Sequence, residues 1–242
     1  MENSSLHFDF NFETDGENLV GTIIKPLPQT TIKANILSLH GAGDAVRQRA
    51  FYAADHFARQ RFMTTAFDMS GHGESSGTMK ESTLKRRHDQ ALAVAHQAEV
   101  LPTVVMGNSM GGFVATTLLP DLPLRALILI CPALYASAAY DVAFDSSFTE
   151  ILRRPGSYRD AHTLDYLRSF KGSVLLLIGQ NDTVIPAEVM EIYQNACVNA
   201  RDVQYSVIPN APHRIHMWAV ENPANSHAVL SEIDRFLNKV FV

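Results

Sequence analysis

The stretch Gly107-Asn108-Ser109-Met110-Gly111 lies where an apolar run gives way to a helical pattern. Residues 101–106 have the apolar character of a strand, and residues 112–119 carry apolar side chains at helical spacing. A glycine on each side of the serine lets neighbouring backbone pass where a Cβ atom would collide. The pattern predicts a sharp strand-to-helix turn that presents Ser109 at a helix N-terminus, where developing negative charge is favoured. A small-residue turn without chemical function has the same pattern. The remainder of the chain must therefore distinguish a reactive serine from an ordinary turn.

Length and composition are those of an ordinary globular protein. The chain has 242 residues, of which 46% are hydrophobic and 19% charged, and this predicts one domain over residues 1–242. The net charge of −5 provides no basic surface to attract phosphates, so we expect no nucleic-acid partner. No apolar run approaches the roughly 20 residues of a membrane helix, so we expect no membrane span.

The first residues and the two cysteines favour a cytoplasmic protein. Met1 to Ser5 lacks a basic region followed by an apolar one and does not have the pattern of a signal peptide. Cys131 ends an apolar run and Cys197 lies in a helical pattern, positions that suit buried free thiols better than a disulfide. The sequence does not indicate an oligomeric state.

Strands and helices are predicted to alternate along the chain. Residues 7–12 and 19–24 flank the turn-forming pair Asp15-Gly16 and predict an antiparallel hairpin. Buried strands are predicted at residues 36–39, 62–67, 103–106, 124–130, 174–178 and 203–208. Helices are predicted at residues 47–60, 81–100, 109–119, 186–200 and 223–240. The alternation predicts an α/β fold with a mostly parallel sheet, helices on both faces and the antiparallel hairpin at the leading edge.

The segment 132–170 is longer than a crossover between two strands requires. We expect it to form a small cap insert over the end of the sheet, because long insertions in compact domains are usually functional. An ordinary crossover with a ragged loop is the alternative. Its aromatic residues could line an apolar substrate pocket or form the insert's own core, and the candidates for substrate binding are Tyr135, Tyr140, Phe144 and Phe148.

Two polar side chains follow other predicted strands. Asp182 lies in the loop after the strand at 174–178, and His213 lies in the loop after the strand at 203–208. Because the carboxyl ends of parallel strands gather at one edge of a sheet, we expect both side chains near Ser109. There His213 would accept the serine proton and Asp182 would orient the histidine. The three residue types follow three different strands in the order Ser, Asp, His. A catalytic role explains this arrangement better than coincidence does.

Each of these residues also has a structural interpretation by itself. Asp182 suits a turn or a helix cap, and His213 suits an exposed loop. His216 is a second candidate for the base, although it lies farther from the strand end. The pair His213 and His216 lacks the further ligands of a zinc site, so we predict no metal and no cofactor.

Two glycine-rich loops follow the remaining strands. His40-Gly41-Ala42-Gly43 comes after the strand at 36–39, and the N–H of Ala42 could pair with that of Met110 to stabilise an oxyanion. A flexible glycine loop is the alternative. Asp68 to Gly77 lacks the Gly-Lys-Ser/Thr ending and the glycine spacing of a phosphate loop. We expect that segment to form a structural turn beside the site.

Together these motifs resemble the α/β-hydrolases, in particular the small carboxylesterases and the monoacylglycerol-lipase-like members. The resemblance spans the chain from residue 20 onward and rests on His40 to Gly43, Asp68 to Gly77, Gly107 to Gly112, Asp182 to Pro186, and His213. It implies an eight-stranded sheet with an antiparallel second strand, a catalytic triad of Ser109, Asp182 and His213, and oxyanion donors at Ala42 and Met110. Asn108 stands where many relatives have histidine, and the insert carries no motif of a single subfamily.

The predicted activity is hydrolysis of a carboxylic ester of a small or medium-sized molecule, through an acyl-enzyme on Ser109. A thioesterase, an acyltransferase or a peptidase could use the same residues, because a triad fixes acyl transfer but not the leaving group or the acceptor. A non-catalytic ligand-binding protein on a hydrolase scaffold is the alternative from another class.

Overall fold

Eight strands form one sheet in the computed structural model, which describes residues 5–241. The strands are β1 (Leu6–Thr14), β2 (Glu17–Lys25), β3 (Ala34–Leu39), β4 (Phe62–Phe67), β5 (Val104–Asn108), β6 (Ala126–Ile130), β7 (Ser173–Asn181) and β8 (Asp202–Pro212). Their order across the sheet is β1-β2-β4-β3-β5-β6-β7-β8. Strand β2 is antiparallel to β1 and β4, and all pairs from β4 to β8 are parallel. The predicted sheet with its antiparallel leading hairpin is confirmed.

The burial of each strand explains why its sequence pattern was informative. Every residue of β3, β4 and β6 is buried, as expected for central strands covered on both faces. Each residue of the edge strand β1 is either exposed or half-buried, and the sequence of the strand alternates polar and apolar residues. The other edge strand, β8, also alternates, and it extends to Pro212, four residues beyond the apolar run that predicted it.

Eight α-helices surround the sheet in the described part of the chain. They are α1 (Phe51–Arg59), α2 (Leu84–Gln97), α3 (Met110–Thr117), α4 (Ser146–Leu152), α5 (Thr163–Ser169), α6 (Ala187–Ala196), α7 (Ile215–Glu221) and α8 (Pro223–Val240). Helix α8 packs against α1 and α7, whereas α3 packs against α2 and α5, and α5 against α6. These are two separate groups, in agreement with the prediction of helices on both faces. Within residues 5–241, no helix is both long and apolar enough to cross a membrane.

The predicted helices are present, and three further short helices, α4, α5 and α7, lie outside the predicted ranges. The segment predicted as one helix at 47–60 begins with a 3₁₀ turn at Arg47–Ala50 before α1. Pro223 occupies the first turn of α8 as predicted, and the Asn222 side chain caps that helix by accepting the Asn225 N–H at 3.0 Å. Helix α7 has seven residues and only three that are buried, so its apolar pattern is too short to stand out in the sequence.

The segment 132–170 contains α4, α5 and two 3₁₀ turns, and it packs against the beginnings of three other helices. The N–H of Lys85 in α2 donates to the Tyr140 carbonyl at 2.9 Å. The ring of Tyr135 lies 5.1 Å from that of Phe113 in α3, and the Tyr158 hydroxyl donates to Glu188 of α6 at 2.9 Å. Because these helices begin after the carboxyl ends of strands, the segment lies at that edge of the sheet.

A fully buried arginine stands out in α2. The side chain of Arg87 has no exposed surface, and none of residues 5–241 makes a hydrogen bond with its guanidinium nitrogens. The guanidinium carbon lies 5.6 Å from the centroid of the Phe144 ring. Burial lowers the pKa of Arg87 to about 10, so the group is still charged at neutral pH. A buried charge without a hydrogen-bonded counter-charge costs several kcal/mol, which a cation–π contact offsets only partly.

Replacing Arg87 with methionine is expected to stabilise the fold. Methionine fills similar space without a charge to desolvate, so Arg87→Met should raise the free energy of unfolding by about 1–2 kcal/mol. Urea denaturation followed by circular dichroism measures the change. The matched control is Arg86→Met, which removes a partly exposed arginine paired with Glu17 at 2.8 Å and should not stabilise. A loss of stability in Arg87→Met would show that the buried charge has a favourable partner.

Candidate active site

Ser109 occupies the sharp turn between β5, which ends at Asn108, and α3, which begins at Met110. Its backbone has φ +52° and ψ −116°, a conformation that costs a non-glycine residue about 1–3 kcal/mol. Backbone hydrogen bonds hold it there: the Ser109 N–H donates to the Ile130 carbonyl at 3.0 Å, and its carbonyl accepts from the Ala133 N–H at 3.0 Å. The end of β6 and the chain after it therefore fix the serine.

The glycines of this turn are required by close backbone approach. A Cβ atom at Gly107 would lie 2.2 Å from the Gly111 carbonyl oxygen, and a Cβ atom at Gly111 would lie 2.4 Å from the Leu39 carbonyl oxygen. No side chain can occupy these positions without moving the backbone. The serine turn is consequently packed directly against the loop that follows β3.

The structure brings Ser109, His213 and Asp182 together. The His213 Nε2 atom lies 3.1 Å from the Ser109 hydroxyl oxygen, and the Nδ1 atom lies 2.9 Å from Oδ2 of Asp182. Asp182 directly follows β7, and His213 directly follows β8. The three side chains that the sequence placed at separate strand ends form one continuous chain of hydrogen bonds.

The Asp182 carboxylate is held by donors on both oxygens. Its Oδ1 atom accepts the N–H of Val184 at 2.8 Å and that of Ile185 at 3.1 Å. Burial alone would raise the pKa of Asp182, but the hydrogen bonds from His213 and from these two amides outweigh burial and keep the pKa below its usual value. An ionised carboxylate at this position accepts the Nδ1 proton of His213 and leaves the Nε2 lone pair facing the serine.

His216, the second candidate for the base, has a different environment. It is buried, and its Nδ1 atom lies 3.2 Å from the Tyr52 hydroxyl. Burial, with a further contribution from the charge of Arg49, lowers the pKa of His216 to about 4. His213 is the histidine that reaches Ser109.

Cys131 lies beside the Asp182 and His213 pair. Within residues 5–241, this is the one group of three potential metal ligands, with ligand atoms within 4.8 Å of one another. Burial raises the pKa of the Cys131 thiol, whereas metal binding needs the thiolate. The carboxylate and the imidazole already bond to each other, so the donor set does not suit a metal site.

The loop after β3 is fixed by the buried side chain of His40. The Nδ1 atom of His40 lies 2.7 Å from the Gly41 carbonyl, and Nε2 accepts the Met69 N–H at 2.9 Å. Burial and the neighbouring His72 lower the pKa of His40 to about 3, so the ring is neutral and donates from Nδ1. The Gly41 carbonyl and the Ala42 N–H belong to one trans peptide and point in opposite directions. His40 therefore also sets the direction of the Ala42 N–H.

The N–H groups of Ala42 and Met110 have no hydrogen-bond acceptor among residues 5–241. Ala42 lines the cavity beside Ser109, and Met110 is the first residue of α3, where N–H groups lack intrahelical partners. Both donors are thus available to a ligand. Their role as an oxyanion hole stays a prediction.

The glycine-rich segment at residues 68–77 supports the loop after β3. The buried Asp68 carboxylate accepts the Arg47 N–H at 2.7 Å and pairs with the Arg47 guanidinium. Gly73 has φ +52°, and a Cβ atom there would lie 2.1 Å from the Asp68 carboxylate. The segment is a structural turn, as expected.

A cavity of about 340 Å³ opens beside Ser109 and His213. The loop after β3 and the start of α7 supply most of its wall, including Ala42, Asp44, Ala45, Val46, Arg47, Arg49, Ala50, Arg214, His216 and Met217. Most of these residues were not predicted as site residues. Two signals were present in the sequence: the loop directly follows a buried strand, and Arg214 is adjacent to His213.

The four aromatic residues predicted to bind substrate do not line this cavity, and that prediction is corrected. The ring centroids of Tyr135 and Phe148 are 5.7 Å apart, those of Phe144 and Phe148 are 4.8 Å apart, and Tyr140 packs on His162 at 4.7 Å. The rings bury their surface against one another and against Phe113, so they form the core of the segment 132–170. This is the second of the two alternatives that the sequence left open.

The fold and the site define an α/β-hydrolase. Residues 30–156, more than half of the chain, match the model of the family described as serine aminopeptidase, S33. The chain belongs to this family, and its fold is that of the α/β-hydrolases.

Two curated relatives match part of the chain. One is the dihydrolipoyllysine-residue acetyltransferase component of the acetoin cleaving system of Cupriavidus necator, 30% identical over 115 residues. The other is (E)-2-((N-methylformamido)methylene)succinate hydrolase of Acinetobacter baylyi, 27% identical over 97 residues. The matches cover 48% and 39% of this chain but only 29% and 36% of the relatives.

Solved structures resemble the whole chain. A membrane phospholipase A, described as a bacterial virulence factor, has a TM-score of 0.72 at 18% identity and matches 97% of this chain and 86% of its own. Est1E of Butyrivibrio proteoclasticus with bound ferulic acid has a TM-score of 0.68 at 18% identity, over 93% and 99% of the two chains. At 18% identity, the similarity to these two structures establishes the fold alone.

The close packing of the serine turn predicts a large cost for a methyl group at Gly111. Gly111→Ala must move either α3 or the loop after β3, and we expect it to destabilise the fold by about 3 kcal/mol or more. The control is Gly43→Ala, where φ is +75° and no atom lies within 4 Å of the added Cβ. The control should lose only about 1–2 kcal/mol from the left-handed backbone. Thermal unfolding of both variants measures the difference, and equal losses would contradict the packing argument.

Proposed function

We propose that this protein is a serine hydrolase that cleaves a carboxylic ester through an acyl-enzyme on Ser109. The observation that carries the proposal is the hydrogen-bonded chain from Ser109 through His213 to Asp182, with distances of 3.1 and 2.9 Å. This chain lies at a strained turn beside a cavity, which is the arrangement that nucleophilic acyl transfer requires.

In the first half of the reaction, His213 accepts the proton of Ser109 while the hydroxyl oxygen attacks the ester carbonyl. Asp182 keeps the imidazole in the correct tautomer and stabilises the imidazolium that forms. The N–H groups of Ala42 and Met110 receive the negative charge on the carbonyl oxygen. The tetrahedral intermediate then expels the alcohol, which takes its proton from His213.

In the second half, water replaces the alcohol. His213 accepts a proton from the water as it attacks the acyl-enzyme, and then returns that proton to Ser109 when the acid is released. Every proton is moved by His213. The residues at the site therefore complete the cycle by themselves, and we propose no cofactor.

Ester hydrolysis is favoured over the aminopeptidase activity in the family's description. An aminopeptidase must bind the ammonium group of its substrate, and a carboxylate is the natural partner for that group. Asp44 is the one acidic residue among those lining the cavity, and both Arg49 and Arg214 already bind it. A thioesterase or an acyltransferase would use the same triad, and rates on an ester, a thioester and an amide of one acyl group distinguish these activities.

We further propose that the chain acts as a single domain with residues 132–170 as a small cap. Its contacts with the first turns of α2, α3 and α6 support a position above the strand ends. A cytoplasmic location, with a small-molecule ester as partner, completes the proposal. Two free, buried cysteines support that compartment, because disulfides are rare there.

Removal of the Ser109 hydroxyl should abolish turnover. We expect Ser109→Ala to lower kcat on p-nitrophenyl acetate by about 10⁴-fold or more, because the nucleophile is lost, and to leave the circular dichroism spectrum unchanged. The control is Ser137→Ala, which removes a serine on the segment 132–170 that bonds to the Asp160 carbonyl. Retention of the wild-type rate in Ser109→Ala would overturn the assignment.

His40 is a positioning residue whose loss should reduce kcat and leave KM unchanged. His40→Phe removes the bond that orients the Gly41–Ala42 peptide, so one oxyanion donor is misdirected, and we expect a loss of about 10²-fold in kcat. His88→Phe is the control, since His88 bonds to Thr117 in α3 and not to the oxyanion loop. Steady-state kinetics on p-nitrophenyl acetate separates the outcomes. A change in KM alone would refute the positioning role.

A further inference from the structure

Two arginines at the wall of the active-site cavity share one carboxylate. The Nη2 atom of Arg49 lies 2.8 Å from Oδ2 of Asp44 and also donates to the Asp44 backbone carbonyl at 2.7 Å. The Nη2 atom of Arg214 bonds to the other carboxylate oxygen, Oδ1. All three residues line the cavity that Ser109 and His213 also line. We call Arg49 and Arg214 the arginine pair, and Asp44 is the carboxylate that they share.

The arginine pair leaves one positive charge uncompensated. Hydrogen bonds from Arg214 and Arg49 lower the pKa of Asp44 to about 2, so this carboxylate is ionised and supplies one negative charge against two positive ones. Arg47, the third arginine at the cavity, is buried and already bound by Asp68 and Glu74. The surplus charge therefore belongs to Arg49 and Arg214.

Both guanidinium groups keep free donors. Each arginine contacts Asp44 through Nη2, and the Nε and Nη1 atoms of both have no acceptor among residues 5–241. The Nη2 atom of Arg49 is held by two contacts with Asp44, and the Arg49 side chain is only 24% exposed, so less side-chain freedom is lost on binding. Arginine presents its N–H groups as a rigid fork that matches a carboxylate.

Part of the remaining wall is small and apolar. Ala45, Val46, Ala50 and Met217 line the same cavity, which at about 340 Å³ is at the small end of the range of roughly 300–1,000 Å³ for ligand sites. Such a wall suits a short hydrocarbon portion. A pair of guanidinium groups at the edge of this wall suits a ligand with an anionic group at one end.

We propose that the natural substrate is an ester that carries a carboxylate, which Arg49 and Arg214 bind while the ester carbonyl lies at Ser109. The inference rests on the proposed function and names the substrate class of the same site. The carboxylate takes the free N–H donors of the two arginines and neutralises their surplus charge. A neutral ester of the same shape lacks this interaction and leaves that charge without a partner.

The experiment compares charged and neutral esters of matched shape in two arms. In the acyl arm, mono-p-nitrophenyl adipate is compared with p-nitrophenyl methyl adipate. In the alcohol arm, 4-acetoxybenzoate is compared with its methyl ester, each rate being divided by the rate of spontaneous hydrolysis. We expect kcat/KM to favour the anionic ester by about 10- to 100-fold in at least one arm, the range of a charge-assisted hydrogen bond. The preference should fall with added NaCl.

Variants test whether the arginine pair produces the preference. Arg49→Met and Arg214→Met should each lower the anionic-to-neutral ratio of kcat/KM about 10-fold, chiefly by raising KM for the anionic ester. Arg49→Gln is the second variant if the methionine variant does not fold. The control is Arg153→Met, which removes an exposed arginine of the segment 132–170 and should keep the wild-type ratio.

The possible outcomes separate this inference from the proposed function. If wild-type protein hydrolyses the neutral esters through Ser109 but shows no anionic preference in either arm, the inference is overturned and the proposed function stands. A preference that survives in both arginine variants also overturns it. If Ser109 is needed for none of the four esters, both proposals fail.

Discussion

The strained backbone of Ser109 is the constraint on which the rest of the site depends. A residue with φ +52° and ψ −116° would relax if its neighbours allowed it. Three segments prevent this: the Ile130 carbonyl at the end of β6 accepts its N–H, Ala133 in the chain after β6 donates to its carbonyl, and the loop after β3 packs against Gly111 without space for a Cβ atom. The strain is therefore supported by the packing of the central sheet.

That constraint also fixes the positions of the other groups. The Met110 N–H at the start of α3 has no acceptor among residues 5–241, and the tight contact of Gly111 with Leu39 holds the loop after β3 against the serine turn. His40 then orients the Ala42 peptide, and the turn at residues 68–77 holds His40 through the Met69 N–H. Ser109 and the two proposed oxyanion donors are thus parts of one packed unit, so the proposed reaction would need little rearrangement.

Much of the fold and the core of the site could be predicted from sequence. Central strands are uniformly apolar because both faces are buried, and residues directly after them must gather at one edge of the sheet. These two rules alone predict that Ser109, Asp182 and His213 lie close together. Side-chain direction could not be predicted in the same way. Tyr135 and Phe148 are apolar enough to line a pocket, but Tyr135 packs on Phe113 and Phe148 packs on Tyr135, and only the tertiary structure determines that choice. The bond between Asp44 and Arg214, which brings Arg214 beside Arg49, joins residues 170 positions apart and leaves no local pattern.

The most direct test of the central claim is chemical labelling of the nucleophile. Native protein is treated with a fluorophosphonate, digested, and mapped by mass spectrometry, with His213→Ala protein treated in parallel. We expect a single adduct on the peptide that contains Ser109, and strongly slowed labelling in the variant, because the hydroxyl is activated only through the histidine. An adduct on another residue of the native protein, or labelling of Ser109 at the same rate without His213, would contradict it.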